Sequence, residues 1–449
     1  MWTSPKLAPA PSNVSDLKQL ARQIFYETLA AIDIPLAMRQ KLARTGSRIR
    51  FDDDVDLAAY NRIVAIAIGK ASAAMALGFA DLLAMDFAFE GILVAPYESL
   101  SEVQGFRALG AAHPIPDQSS IAAAHAIIDL LRQCDSRTLV FFLLSGGGSS
   151  LIELPLDPSI SLEDLQGLNR LLVTSGASIN EVNAVRKHLS AVKGGRLAAL
   201  AAASTKLSLA ITDVPAGCES ALASGPTLVD PTTVADACRV IEKYALASKL
   251  PASVRAKFAQ PQTIPETPKR GDPAFARARF SLLLTMHDLF HHAHQAAEAR
   301  GFVTQCDNST DDWPVAQAAE CLLGQLARLG QANRGRRVAL IADGEVSSPV
   351  RGKGVGGRNS AFVLDCVESI AGRGIAVLSA GTDGKDGSSP AAGAVADGKT
   401  LERARTERLD PREFAARSDS YNFFHKLGDA IETGPTGNNL RDLRILLAE

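Results

Sequence analysis

The chain has 449 residues, with 47 Lys+Arg against 49 Asp+Glu (formal net charge -2), 46% hydrophobic and 21% charged residues. That balance is ordinary for a soluble globular protein and leaves no electrostatic footprint for nucleic acid or an anionic membrane. No apolar run reaches the roughly 18 residues of a membrane span, MWTSPKLAPAPSNVSD at the start lacks a signal-peptide core, and the six cysteines never form CxxC. A cytoplasmic protein with buried free thiols, no zinc site and no disulfide framework is therefore expected.

The length suggests two to three domains. In chain order, RIVAIAIG (62–69), GILVAP (91–96), TLVFFLLSG (138–146) and KLSLAITDVP (206–215) predict strands. They are apolar throughout, as strands covered on both faces are. Residues 71–84, 119–134, 162–176 and 179–195 predict helices between them, the last closed by Gly194. The pattern is that of an α/β domain with a mostly parallel sheet. Residues 251–273 are rich in proline and charge and read as a linker, with the boundary placed between residues 1–265 and 266–449. Strand-like runs then resume at 279–288, 301–305, 336–345 and 374–384, predicting a second α/β domain.

Ligands of parallel sheets bind at the carboxyl ends of strands. Several predicted strands here end in polar, glycine-rich residues: Gly69-Lys70, Ser145 to Ser150, Thr212-Asp213, Asp343-Gly344-Glu345 and Gly381-Thr382-Asp383-Gly384. Their recurrence in both domains points to an active site in a cleft between them. Ser145-Gly146-Gly147-Gly148-Ser149-Ser150 has neither the lysine of a P-loop nor the third glycine of a dinucleotide fingerprint. A turn alone does not ask for three glycines with flanking serines, so its N–H groups are read as binding an anion.

Gly352-Lys353-Gly354-Val355-Gly356-Gly357 matches GxGxxG but lies too far from a strand, behind Pro349. With Arg351, Lys353 and Arg358 it reads as a mobile cationic loop suited to a polyphosphate, against the alternative of a solvated surface loop. Lys70 at a helix start opposes the helix dipole, which argues that its cation serves an anion. Asn180, Asn183 and Arg186 share a helical face and could form a carboxylate-binding edge, or an ordinary solvated face. Asp213, Asp383 and Asp386 at strand ends suit Mg²⁺ or a base on a substrate hydroxyl, or could cap turns. His287, His291 and His294 lack an accompanying general base and read as a solvated helix.

Taken together, LLSGGGSSLIELP, INEVNAVRKHLSAVKGGRLA, TDVP, ASGPTLVDPTT, GGRNSAFVL, SAGTDGKDGSSPAAGAVAD and TGPTGNNLRDLRILL resemble the class II glycerate kinases, the glycerate 2-kinase family with a C-terminal MOFRL domain. AAHPIPDQSS and IAIGKASAAM fit as well, and the resemblance runs from about residue 17 to 447. It implies a Rossmann-like N-terminal domain, a smaller C-terminal α/β domain holding the MOFRL region at about 335–447, and the site between them. It implies transfer of the ATP γ-phosphoryl group to the 2-hydroxyl of D-glycerate. Lys70 and Arg358 are then the catalytic candidates, with Asp213 and Asp383. Ser145, Gly146, Gly147, Gly148, Ser149, Ser150, Asn183, Arg186, Lys193, Lys353, Gly357 and Asn359 are candidates for substrate and phosphate binding, and Asp383 and Asp386 for the metal. Thr212 in TDVP and Asn438 in TGNN are minor departures from the family pattern. ATP and Mg²⁺ are the expected cofactors and D-glycerate the partner, with no nucleic acid and no membrane. A homodimer is compatible with the sequence. Relatives labelled hydroxypyruvate reductase supply the alternative, an NAD(P)H-dependent reduction, for which neither glycine-rich loop has the right context.

Overall fold

Strands without a polar face need cover on both sides, and the chain supplies it by alternating them with helices. The computed structural model describes residues 16–83, 86–212, 214 and 217–449. The chain divides into two compact units. One comprises residues 33–286 and 437–440; the other, residues up to 32, 287–436 and 441–449.

In the first unit, a hairpin of β1 (Arg48–Phe51) and β2 (Asp53–Asp56) precedes a six-stranded sheet. Its strands are β3 (Arg62–Ile68), β4 (Glu90–Pro96), β5 (Phe106–Ala111), β6 (Thr138–Leu144), β7 (Thr205–Thr212) and β8 (Ala278–Thr285), all parallel in the order β5-β4-β3-β6-β7-β8. This is the doubly wound order expected for the N-terminal part, and the winding reverses between β3 and β6. β6 and β7 are buried along their whole length. Val64, Ile66, Val140 and Phe142 pack against Ala124, Ile127 and Leu131 of the helix Gln118–Leu131 on one face. Phe141 meets Phe79 of the helix Ser72–Leu83 at 4.8 Å between ring centres. Each fully buried aromatic of this kind contributes about 2–3 kcal/mol.

β8 is the first of the strands expected in the second domain, and it pairs instead with β7. The proline-rich stretch before it therefore lies within the first unit. The helix predicted over 179–195 ends at Leu189, because Ser190 turns extended and Gly194 and Gly195 take positive φ ahead of a separate helix, Arg196–Leu200.

The second unit holds a mixed six-stranded sheet, β13-β12-β11-β14-β10-β9. Its members are β9 (Val303–Asp307), β10 (Val338–Asp343), β11 (Ile375–Gly381), β12 (Gly393–Asp397), β13 (Ala430–Ile431) and β14 (Asp442–Ala448). β14 runs antiparallel between β10 and β11. The carboxyl ends of β10 and β11 thus emerge at one edge, with the start of β14 between them. The helix Leu17–Ala31 belongs to this unit, where buried Lys18 pairs with Asp429 at 2.9 Å. All six cysteines are free; Cys366 is buried but Cys306 is exposed, so burial does not account for every thiol. Among the described residues no helix is long and apolar enough to cross a membrane.

One buried charge in this unit works against stability. Asp343, at the end of β10, is fully buried and neither carboxylate oxygen has a hydrogen-bond partner. Burial pushes its carboxyl up to about 6, Asp311 adding to the effect while Arg441, Arg444 and His287 oppose it. A folded pKa above the unfolded 3.8 means that the protein is most favoured with Asp343 protonated and loses that stability as pH rises through about 6, by about 3 kcal/mol. Asp343→Asn should therefore raise the melting temperature more at pH 8 than at pH 5; an equal effect at both would show that the carboxylate is compensated.

Candidate active site

The reversal point of a doubly wound sheet opens a crevice at the carboxyl ends of two adjacent strands. Here those ends are Gly69-Lys70 after β3 and Ser145-Gly146-Gly147-Gly148 after β6. The two turns are knitted together. Ser145 N–H donates to Ile68 O at 3.0 Å, Lys70 N–H donates to Gly146 O at 2.9 Å, and Ser145 Oγ accepts from Ala71 N–H at 3.0 Å. Gly69 has φ +128°, and a Cβ there would overlap Ser145 Oγ, so no other residue fits. Ser145 is thus a buried structural link rather than an exposed hydroxyl.

Gly147 (φ +83°) opens the short helix Gly148–Leu151. A Cβ on it would stand 3.1 Å from both the His113 ring and Lys70 Cγ, while one on Gly146 would stand 2.7 Å from Asn439 Nδ2. The bare backbone therefore lets three side chains from three segments converge on one loop. The Lys70 ammonium makes no hydrogen bond or ion pair with any described residue. His113 is half-buried; burial first, then Lys70, hold its imidazole below the usual pKa, with Glu98 opposing. Sequence reasoning gave His113 no role, because its nearness to Lys70 depends on the sheet order β5-β4-β3-β6, which no local spacing shows.

Behind the loop, Ser149 Oγ and Ser224 Oγ are 2.8 Å apart, and Ser224 donates to Asn183 Oδ1 at 3.1 Å. Ser150 Oγ donates back to Gly147 O at 3.2 Å. Arg186, one turn beyond Asn183, has a buried Nε with no hydrogen bond. Burial draws its guanidinium below the ordinary value, the Glu153 charge resisting. Lys193 differs. It is fully buried with Nζ 2.6 Å from Glu153 Oε2, and Ser190 Oγ donates to Glu153 Oε1 at 2.6 Å. Burial lowers its ammonium to about 8, Glu153 opposing and Arg186 adding to the fall. The expectation that Lys193 meets substrate is replaced by a structural pairing. The extended turn after Leu189 carries it to Glu153, a partner not anticipated from sequence. Asp213 lies outside the described residues.

In the second unit, Arg358 opens the helix Arg358–Ser369. Its Nε donates to Asp442 Oδ2 at 2.5 Å and its Nη1 to Glu345 Oε2 at 2.8 Å. Burial works against its charge, but these two carboxylates outweigh it and raise its pKa above the ordinary value. Asp386 is buried and accepts from Asn359 N–H and Ser360 N–H, each at 2.9 Å, and from Ser360 Oγ at 2.5 Å. It caps the helix, with one bond on Oδ1 and two on Oδ2, which turns the carboxylate toward backbone N–H groups. Burial raises its carboxyl despite those bonds. Asn359 is likewise internal, its Oδ1 accepting from Ser379 at 2.6 Å.

The loop before this helix is anchored rather than loose: Gly354 N–H donates to Arg417 O and Val355 N–H to Asp419 Oδ1. Cβ atoms on Gly352 and Gly354 would collide with residues 417 and 419, and one on Gly357 with Asp386. Close packing, not approach to an anion, accounts for these glycines. Arg351 and Lys353 remain exposed and, with Arg358, Asp383 and Lys385, line a cleft of about 1030 Å³ within this unit. Asp383 Oδ1 accepts from Lys385 N–H at 2.9 Å. No group of three or more metal-ligating side chains occurs among the described residues, including the histidines of the helix Met286–Glu298.

Comparison with known proteins brings the two units under one relationship. The model of a domain of unknown function, DUF4147, matches residues 20–259, and that of the MOFRL family matches residues 338–442. The chain is 34% identical to D-glycerate 2-kinase of Thermotoga maritima over 96% of its length and 98% of the relative's. It is 36% identical to a protein of Agrobacterium vitis that bears a hydroxypyruvate reductase name, over 96% and 94%. The crystal structure of glycerate kinase from Thermotoga maritima superposes with a TM-score of 0.83 at 33% identity, covering 97% of this chain and all of that one.

Lys193→Ala leaves Glu153 charged and unpaired in the interior, which should cost about 3–5 kcal/mol of unfolding free energy. Denaturant titration checks this, and a variant of wild-type stability would return Lys193 to the ligand-binding set.

Proposed function

The chain belongs to the glycerate 2-kinase family, and on that premise we propose that it transfers the γ-phosphoryl group of ATP to the 2-hydroxyl of D-glycerate, giving 2-phosphoglycerate and ADP. The observation that carries the reading is Lys70: an ammonium without a partner among the described residues, held by backbone bonds at the reversal point of the first sheet. Phosphoryl transfer asks for positioning and charge neutralisation more than covalent chemistry.

Glycerate is assigned to the loop Gly146–Ser150, with half-buried Arg186, whose buried Nε has no partner among the described residues, as the cation for its carboxylate and the hydroxyl chain Ser149–Ser224–Asn183 beside the loop. The polyphosphate is assigned to the cleft lined by Arg351, Lys353, Arg358 and Lys385, whose volume suits a nucleotide. Lys70, beside the glycerate loop, neutralises charge on the transferring group, and Arg358 neutralises charge on the polyphosphate in its own cleft. Mg²⁺, when bound, would offset the charge of the nucleotide phosphates. Asp383 is the side chain on the cleft wall that would hold it, because Asp386 is consumed by its helix cap. The reductase name found among relatives has less support. The turn after β3 reads Gly69-Lys70-Ala71, with a lysine and an alanine where a dinucleotide turn places a close backbone approach.

Incubation with Mg-ATP and D-glycerate should yield 2-phosphoglycerate. NADH oxidation by hydroxypyruvate at enzymatic rates without ATP turnover would overturn the reaction class. Lys70→Ala should lower kcat by roughly 10²-fold or more with an unchanged melting temperature. Arg358→Ala should cost both activity and stability, since it strands the buried Asp442. Arg358→Lys keeps the charge and should recover stability before it recovers rate.

Asp383→Asn should raise the Mg²⁺ concentration needed for half-maximal rate while the melting temperature barely moves. Early unfolding with normal specific activity would make Asp383 a turn residue only.

A further inference from the structure

Transfer to an alcohol needs a group to take the hydroxyl proton, and that group must lie beside the acceptor. Asp386 is spent on a helix cap and Glu153 on Lys193 and Ser190. His113 is different. It follows β5, its ring lies against Gly147 and near Lys70, and it makes no hydrogen bond with any described residue. It is half-buried, so it is reachable from the crevice while partly withdrawn from water.

Building on the kinase reading, we propose that His113 is the general base of the reaction, taking the proton of the glycerate 2-hydroxyl through Nε2. As that oxygen bonds to the γ-phosphorus, the bond from the γ-phosphorus to the β,γ-bridging oxygen breaks and ADP leaves. The O–H proton moves to the imidazole and later to solvent, so charge and atoms balance. Lys70, on the same loop face, neutralises charge and keeps the resting imidazole neutral. The charged groups facing His113 are Lys70 from the turn after β3 and Glu98 from the turn after β4; the loop Gly146–Gly148 contributes none. On its own segment, Asp117 is engaged in capping the helix Gln118–Leu131. Burial and Lys70 both favour the neutral ring, so the base form persists to a lower pH than a free histidine's 6.5.

The test measures kcat/KM for D-glycerate against pH at saturating Mg-ATP, in the full chain and in His113→Gln. The wild type should lose activity on the acid side with a midpoint below 6.5. His113→Gln should lower kcat by roughly 10²–10⁴-fold, leave KM for glycerate within a few-fold, and lose that acid limb. His113→Asn serves as a second variant should the first fail to fold, with the same expectation. Wild-type kcat, or an unchanged acid limb, in a folded variant overturns the proposal. Absence of 2-phosphoglycerate with the wild type is a separate failure, that of the kinase reading itself, and is seen before either variant is made.

Discussion

The bonds between the turns after β3 and β6 are the constraint on which the first unit's site rests. Ser145 N–H to Ile68 O, Lys70 N–H to Gly146 O and Ala71 N–H to Ser145 Oγ tie the two turns together where the sheet reverses its winding. They satisfy backbone groups that would otherwise be buried without partners at a strand end. They also set where Lys70 starts and where Gly147 lies. Gly69 is obligatory because any side chain would occupy the space of the Ser145 hydroxyl. The loop's glycines thus have divided duties: Gly69 lets the turns interlock, and Gly147 lets His113 and Lys70 approach.

In the second unit the same currency, buried carboxylates and backbone N–H groups, is used to hold a cation rather than to leave one unpaired. Asp442 at the start of β14 sits between the ends of β10 and β11 because β14 is antiparallel to both. From there it holds Arg358, aided by Glu345. Asp386 fixes the first turn of the helix that carries Arg358. A guanidinium in this setting is oriented before any ligand arrives, which lowers the cost of ordering it during the reaction.

Much of this was legible in sequence. Strand runs without polar alternation announced a covered parallel sheet, and glycine-rich strand ends marked the turns that interlock where the winding reverses. What sequence did not show was whatever depended on partners distant along the chain. Lys193 reads as a substrate- or phosphate-binding candidate because Glu153, 40 residues earlier, is not visible as its partner until the chain turns at Ser190. Asp386 read as a metal ligand because a helix cap supplied from another segment leaves no local spacing signal. β8 was assigned to the wrong sheet because a strand at a sheet edge looks the same whichever sheet it joins. The glycines before Arg358 pointed to an anion for want of a visible neighbour at 417–420.

The distinction between paired and unpaired buried charge then sorts the cations by role. Lys18, Lys187 and Lys193 each meet a buried carboxylate, and removing any of them should be felt first as lost stability. Lys70 and Arg186 have no such partner among the described residues, and the Arg186 Nε is orphaned in the interior. A protein gains nothing in folding from a desolvated cation without a counter-charge. Its retention is explained if the missing charge arrives with the ligand, and Lys70 stands against the loop to which glycerate is assigned. The pairing pattern, rather than the mere presence of lysine and arginine, is what separates groups that build the site from groups that wait for substrate.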